Sequence, residues 1–279
     1  MKQQTTRRDI LNIGLAAGLV SSSAPAQTGA VVKYVRYEFG GRAAYGVLEG
    51  DIVHELRGGL FDKPARTGVK RKLADVRLLV PCEPRQVLAA GLNYKSHIGN
   101  RPPPAKPEFF WKSPGCLVEH GAKIIIPADA RNVHYEGELV VVVGRRTRNV
   151  SVAEAPACVF GVTCGNDVSE RDWQRNDLQW WRAKASDTFG PLGPAIVTGL
   201  HYGNLRLETR VNGQVKQSEN TKDLLFDVPT MISFLSKHLT LWPGDVLYTG
   251  TPQTTSPMKP GDVVEVEVEG VGILRNTVA

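Results

Sequence analysis

The sequence predicts a β-rich α+β protein, and three observations predict it. Short apolar or alternating runs recur along the chain, separated by glycine-bearing turns. One segment has clean helical periodicity. The apolar run Leu139–Val143 lacks polar alternation, as a strand buried on both faces does. With 42% hydrophobic and 22% charged residues, the composition is that of a globular protein.

Taken in order, Val31–Tyr37, Ala43–Glu49 and Ile52–Leu56 read as short strands, the last two joined by a Gly50-Asp51 hairpin turn. Gly58–Lys72 reads as a polar connector, and Asp75–Pro81 leads to a proline-bounded join at Pro81–Pro84. Residues 27–80 are thus expected to form a small β-rich N-terminal region, and residues 84–279 the main domain. Gln86–Ala90 opens a new strand. Asn212-Gly213, between Leu205–Val211 and Gln214–Gln217, is the strongest two-residue hairpin signature in the chain. The clear helix is Val228–Leu239. Asp227 can cap it, Pro229 suits its first turn, and Met231, Ile232, Leu235 and Leu239 share one face. A second helix is expected after Ser169, whose Ser-Glu-Arg-Asp run resembles a capping box. Its Trp173, Trp180 and Trp181 would form a stripe, read as core or subunit contact rather than a substrate platform.

The first 26 residues read as an address. Arg7-Arg8 precedes the apolar stretch Ile10–Val20, and Ala24-Pro25-Ala26 supplies a small-residue end. That order resembles a bacterial twin-arginine signal peptide and implies a periplasmic product starting near Gln27. The apolar stretch is far short of the ~20 residues a membrane span needs, so no membrane association is expected after its removal.

The formal charge of +6 would fall to +4 without that segment. So small an excess is no nucleic-acid footprint, which needs a clustered basic stripe. The densest cluster, Arg145-Arg146-Thr147-Arg148, reads as a solvated turn. Cys82, Cys116, Cys158 and Cys164 share no Cys-x-x-Cys spacing and are read as buried free thiols.

The residues that can carry chemistry are acidic. Glu136 and Glu138 flank Gly137 just before the buried run, on one face and about 7 Å apart along the chain. Two carboxylates leading into a buried strand must be protonated, paired with cations or bound to a metal. Gly137 leaves room there for close approach by a ligand or backbone. Glu265, Glu267 and Glu269 share the spacing, but in a strictly alternating segment, and are assigned to a solvent face. A hard divalent cation needs further oxygen ligands. Asp167, at a strand end before a helix start, supplies one; Asp172 is assigned a helix-dipole role and His134 a structural one.

From Gln86 to Val278 the chain resembles the fumarylacetoacetate hydrolase family. The matching motifs run in order through Gly91–His97, Phe110-Trp111-Lys112, Tyr135–Leu139, Gly165–Asp172, Lys184–Pro194, Val211-Asn212-Gly213, Pro243-Gly244-Asp245 and Thr249-Gly250-Thr251-Pro252. The resemblance implies a mixed β-roll, a homodimer, and a divalent cation such as Mg²⁺, with Mn²⁺ or Ca²⁺ as alternatives. It makes Glu136, Glu138 and Asp167 the metal ligands. It places Lys184 beside a substrate oxyanion, Thr251 and Tyr94 against the substrate, and His97 as general base. The implied substrate is a small anionic 2-oxo acid. The implied reaction is C–C hydrolysis of an acylpyruvate-like diketo acid. Isomerisation or decarboxylation of a hydroxymuconate-type dicarboxylate at the same site is the alternative, and non-catalytic metal or small-acid binding a third.

Two departures stand out. Where family hydrolases place a glutamate three residues after the histidine, this chain has Asn100, which cannot take a proton; Glu108 or Glu119 would have to substitute. Gln253–Pro257 replaces a glycine-containing turn beside the substrate pocket.

Overall fold

A computed structural model describes residues 29–279. The twin-arginine segment and its cleavage point lie outside the described residues.

Among the described residues, twelve strands join in one sheet and five in a second. The central strand of the large sheet is Gly137–Val143, every residue of it buried. It pairs antiparallel with Val159–Asn166 on one side and with Val246–Tyr248 on the other. Its two faces enter different cores, which is why its sequence does not alternate. Leu139, Val141 and Val143 pack with Leu207, Val266, Val268 and Leu274 of the second sheet and with Met231, Ile232 and Leu235 of the helix Val228–His238. Val140 and Val142 pack with Val87, Leu192, Ile196 and Tyr248. The helix begins as expected, with the Asp227 carboxylate accepting from the Thr230 N–H. The second sheet contains the Asn212-Gly213 hairpin, both turn residues at positive φ.

The N-terminal strands Val32–Phe39, Arg42–Glu49 and Ile52–Arg57 are close to the expected ranges. Instead of standing apart, they extend the large sheet, because Val32–Phe39 pairs with Gly190–Thr198 of the main domain.

The structure corrects three local readings. The polar connector contains a strand, Ala65–Lys72, paired with Ile52–Arg57 at the sheet edge. Nearly all of its side chains are exposed, so it carries no apolar period. The same connector buries Leu60 in the core and sets Phe61 edge-on against Phe160 at 5.0 Å. The helix after Ser169 spans only Arg171–Asn176; Glu170 caps it, accepting from the Trp173 N–H at 2.6 Å. A second short helix, Trp181–Ala185, follows the break at Asp177–Trp180, so the three tryptophans share no helix face. Finally, Glu265 and Glu267 are half-buried. Arg210 bonds both, at 3.4 and 2.8 Å, so their polar face is an ion-pair ladder rather than open solvent.

The four cysteines are free and buried, as expected. Arg145, Arg146 and Arg148 are exposed after the central strand. No helix of the described residues is long and apolar enough to cross a membrane.

Candidate metal centre and catalytic cavity

The central strand delivers Glu136 and Glu138 at its entry, and its neighbour Val159–Asn166 delivers Asp167 immediately past its last residue. The register Gly137↔Asn166 fixes the juxtaposition. The Asp167 N–H also donates to the Glu136 carbonyl at 2.8 Å. One oxygen from each of Glu136, Glu138 and Asp167 lies within 4.8 Å of the other two, and all three residues are buried.

Buried carboxylates need counter-charge. Lys184 Nζ donates to Glu136 Oε2 at 2.5 Å and to Asp167 Oδ2 at 2.7 Å. Lys112 Nζ donates to Asp167 Oδ1 at 2.6 Å and also bonds the Lys184 carbonyl. Arg171 donates to Glu136 Oε1 at 2.5 Å, to Thr255 Oγ1 and to Gln174 Oε1. Burial alone would raise the Glu136 carboxyl, but Lys184, Arg171 and His97 hold it well below the usual carboxylate range. The Lys184 ammonium is likewise held on: burial lowers it, and Asp167 and Glu136 more than compensate.

Glu138 is the exception. Burial, then the charges of Asp167 and Glu136, push it well above the usual range. Among the described residues, its one hydrogen-bond donor is the Gly250 N–H, at 2.7 Å. Gly250 has φ +105°, and a Cβ there would lie 2.8 Å from Asn93 Cβ, so the Thr-Gly-Thr turn that brings this N–H to Glu138 requires glycine. Three buried carboxylates, one of them without a cationic partner, make a donor set suited to a hard divalent cation. The residues present fit such an ion.

Glu136, Glu138, Arg171 and Lys184 line a narrow cavity of about 40 Å³, together with Ala90, Gly91, Leu92, His97, Phe110, Gln174, Trp180 and Thr251; Asp167 and Lys112 are not part of its lining. His97 sits on the single turn Lys95–Ile98. Its Nδ1 contacts the Gln253 carbonyl at 2.6 Å. A carbonyl only accepts, so Nδ1 carries the hydrogen and Nε2 of the neutral ring is the acceptor. Burial, against the pull of Glu136 and the Gln253 bond, lowers the His97 pKa from its ordinary 6.5. Leu92, which lines the cavity, and Gln253 both adopt positive φ (58° and 52°), a conformation uncommon for such residues.

The expected acidic partner of His97 is absent among the described residues. Asn100 and Glu108 are exposed and do not line the cavity. Glu119 is bonded by Arg77 at 2.6 Å. What His97 contacts instead is the backbone carbonyl of Gln253, in the turn that departs from the family pattern.

Thr251 does line the cavity, but its hydroxyl donates to the Gly137 carbonyl at 3.0 Å and accepts from Gln217 Nε2 at 2.8 Å, so it braces the wall. Tyr94, expected to touch substrate, is fully buried and does not line the cavity. Its neighbour Asn93 anchors the segment instead, donating to the Thr249 and Phe226 carbonyls and accepting from the Phe226 N–H. His134 is structural, bonded through both ring nitrogens to Thr255 and Asn132. Asp172 lies outside the cavity, as expected.

Sequence reasoning assigned no role to Lys112, Phe110 or Arg171, although each stands in a family motif; it passed over Gln174 and read Trp180 as core or subunit contact, whereas both line the cavity. The signal for Arg171 and Gln174 is their i, i+3 spacing on one short helix.

A β-roll that gathers three carboxylates and three cations beside a neutral histidine is an arrangement suited to metal-assisted chemistry. Residues 86–279 match the family model for the fumarylacetoacetate hydrolase C-terminal domain, and residues 32–81 the model for an Rv2993c-like N-terminal domain. The chain belongs to the fumarylacetoacetate hydrolase family. It is 39% identical to the mitochondrial oxaloacetate tautomerase FAHD2A of Bos taurus, over 74% of this chain and 70% of that protein. It resembles the crystal structure of a 5-carboxymethyl-2-hydroxymuconate delta-isomerase from Mycobacterium smegmatis, with TM-score 0.84 and 43% identity, covering 88% of this chain and 99% of that one. It also resembles a maleylpyruvate hydrolase from Sphingobium sp. SYK-6 in complex with manganese(II) and pyruvate, with TM-score 0.74 and 28% identity, covering 88% and 98%.

Proposed function

We propose that the chain catalyses proton transfer at the carbon next to the keto group of a 2-oxo acid, as a tautomerase or double-bond isomerase. The observation that carries this reading is His97: a neutral ring whose Nδ1 is tied to a backbone carbonyl and which, among the described residues, has no carboxylate hydrogen-bonded to it. Such a histidine can take one proton and return it. C–C hydrolysis, the first expectation from the resemblance, needs more: water must be activated and the departing carbon reprotonated. An acidic relay would serve that second demand, and Asn100 does not provide one.

Glu136, Glu138 and Asp167 would hold the divalent ion, proposed as Mg²⁺, with Mn²⁺ and Ca²⁺ as alternatives. When bound, it supplies Lewis-acid polarisation of the 2-oxo acid. The remaining steps belong to this chain's residues. Arg171 and Lys184 bring positive charge to the cavity wall and attract the acid's carboxylate. His97 Nε2 removes a proton from carbon 3. That C–H electron pair becomes the C2–C3 double bond, and the carbonyl pair moves onto oxygen. Lys184 stabilises the resulting enolate, its ammonium kept protonated by Asp167 and Glu136. The imidazolium returns the proton to oxygen or to a conjugated carbon, restoring the neutral base. The nearby oxaloacetate tautomerase and hydroxymuconate isomerase relatives support this reading.

The test is enol–keto exchange of oxaloacetate by the full chain, with and without added Mg²⁺. Acceleration that chelation abolishes is expected. The Glu138→Gln variant should lose both metal binding, by calorimetric titration, and at least a hundredfold in rate. Release of pyruvate from an acylpyruvate, with no tautomer exchange, would overturn the reading in favour of hydrolysis.

A further inference from the structure

The catalytic cavity, of about 40 Å³, has space for roughly three water-sized groups. That fits the carboxyl-keto head of a 2-oxo acid and little more. The rest of the substrate must leave the cavity, and the structure shows one wall that another hollow shares.

Phe110 and Trp180, edge-to-face at 5.4 Å, line the catalytic cavity and also an outer groove of about 350 Å³. Trp111, Leu178 and Trp181 complete that groove and are 54%, 98% and 70% exposed. Isolated exposed apolar residues are ordinary; a cluster of three large ones bordering a catalytic cavity is not. The groove lining contains no charged side chain, and its one non-aromatic polar residue is Gln179. Lys184 and Arg171 line the inner cavity, and Arg182, next to Trp181, is paired with Asp177 at 2.6 Å and does not line the groove.

We infer that the outer groove is the subsite for the distal part of the substrate, and that this part is apolar or aromatic rather than a second carboxylate. The inference rests on the proton-transfer reading and deepens it. A distal carboxylate would enter the groove without a counter-charge. A phenyl or alkyl group would bury against aromatic faces, and the Phe110–Trp180 pair marks where it leaves the inner cavity. The preferred substrate is therefore a 2-oxo acid bearing an aryl or alkyl group on carbon 3.

The test compares tautomer exchange of phenylpyruvate, 2-oxobutyrate and oxaloacetate by the metal-loaded full chain. A tenfold or larger advantage in kcat/KM for phenylpyruvate over oxaloacetate is expected, expressed mainly in KM. The Trp111→Ala/Trp181→Ala double variant should reduce that ratio at least tenfold. Leu178→Arg, a second and independent variant, should shift preference toward oxaloacetate by placing a cation in the groove. If oxaloacetate turns over as fast as phenylpyruvate, or the variants leave the ratio unmoved, the groove assignment falls and the proton-transfer reading stands. If none of the three acids exchanges, the proton-transfer reading itself falls. Light scattering on the double variant closes the remaining route: a wild-type dimer that becomes a monomer, with the ratio unchanged, would make the groove a subunit contact.

Discussion

At the scale of the residue, the proposed base His97 sets how the site should respond to acid. Burial lowers its pKa from 6.5, and it must be deprotonated to accept a proton. The sign follows: activity is lost as pH falls through the lowered value and is fully present through neutrality. A kcat profile on oxaloacetate should therefore have its acid limb below pH 6.5, and a limb above 6.5 would instead indicate an acidic partner raising the histidine. The same scale explains what the bare sequence revealed of the site. Glu136 and Glu138 were legible because two carboxylates opening an unbroken apolar run pose an electrostatic problem that only a proton, a cation or a metal solves. Lys112 was not legible. A lysine between aromatic residues and Ser113-Pro114 looks like a surface residue until folding seals it, 2% exposed, between Asp167 and the Lys184 carbonyl. Its partners come from segments far along the chain, and no local pattern encodes them. The Gln253 carbonyl was hidden for a deeper reason: every residue has one, and only the turn geometry aims it.

At the scale of the element, the central strand also specifies Gly137. The space expected beside it for a ligand is filled by the second sheet. An added Cβ would lie 1.9 Å from Thr209 Oγ1 and 3.3 Å from a Val266 methyl. Gly137→Ala is thus an overpacking substitution at the seam of two sheets, and such changes cost about 1–3 kcal/mol or more. Chemical denaturation should show at least that loss. Removing the Thr209 hydroxyl in a Gly137→Ala/Thr209→Ala double variant should restore most of it, because Thr209 Oγ1 is buried without a hydrogen-bond partner and little is lost with it. A double variant no more stable than the single would place the strain elsewhere. Elements whose residues face a core carried their own signatures: the Asp227-capped helix and the Asn212-Gly213 hairpin are where spacing and turn chemistry put them. The Ala65–Lys72 strand had no signature, since a strand with neither face buried needs no apolar period. The tryptophan stripe failed for the opposite reason. Its spacing suited a helix, but the chain breaks at Asp177–Trp180, turning Trp180 toward the catalytic cavity and leaving Trp181 exposed.

At the scale of the whole molecule, the question is whether residues before the proline-bounded join form a separable unit. The sequence supports a boundary near residue 81, yet the sheet runs straight across it. Val32, Lys33 and Tyr34 pair with Thr198, Val197 and Ile196, so the N-terminal strands cover what would otherwise be the open edge of Gly190–Thr198. Ala195 packs with Val35, Tyr37 and Val53, and Ile196 and Phe160 pack in one cluster with Leu60 and Phe61. Removing residues 29–81 would strip cover from several fully buried side chains of the main domain, each worth about 1.5–3 kcal/mol when buried. A few such losses consume a typical margin of about 5–15 kcal/mol. An unpaired strand edge would also invite association between chains. We therefore predict that the full chain unfolds in one calorimetric transition, and that a fragment beginning at Cys82 is aggregated or lacks cooperative melting even though it retains every cavity-lining residue. A soluble fragment that melts cooperatively at the temperature of the full chain would show that the N-terminal strands are an appendage, and that the catalytic sheet closes without them.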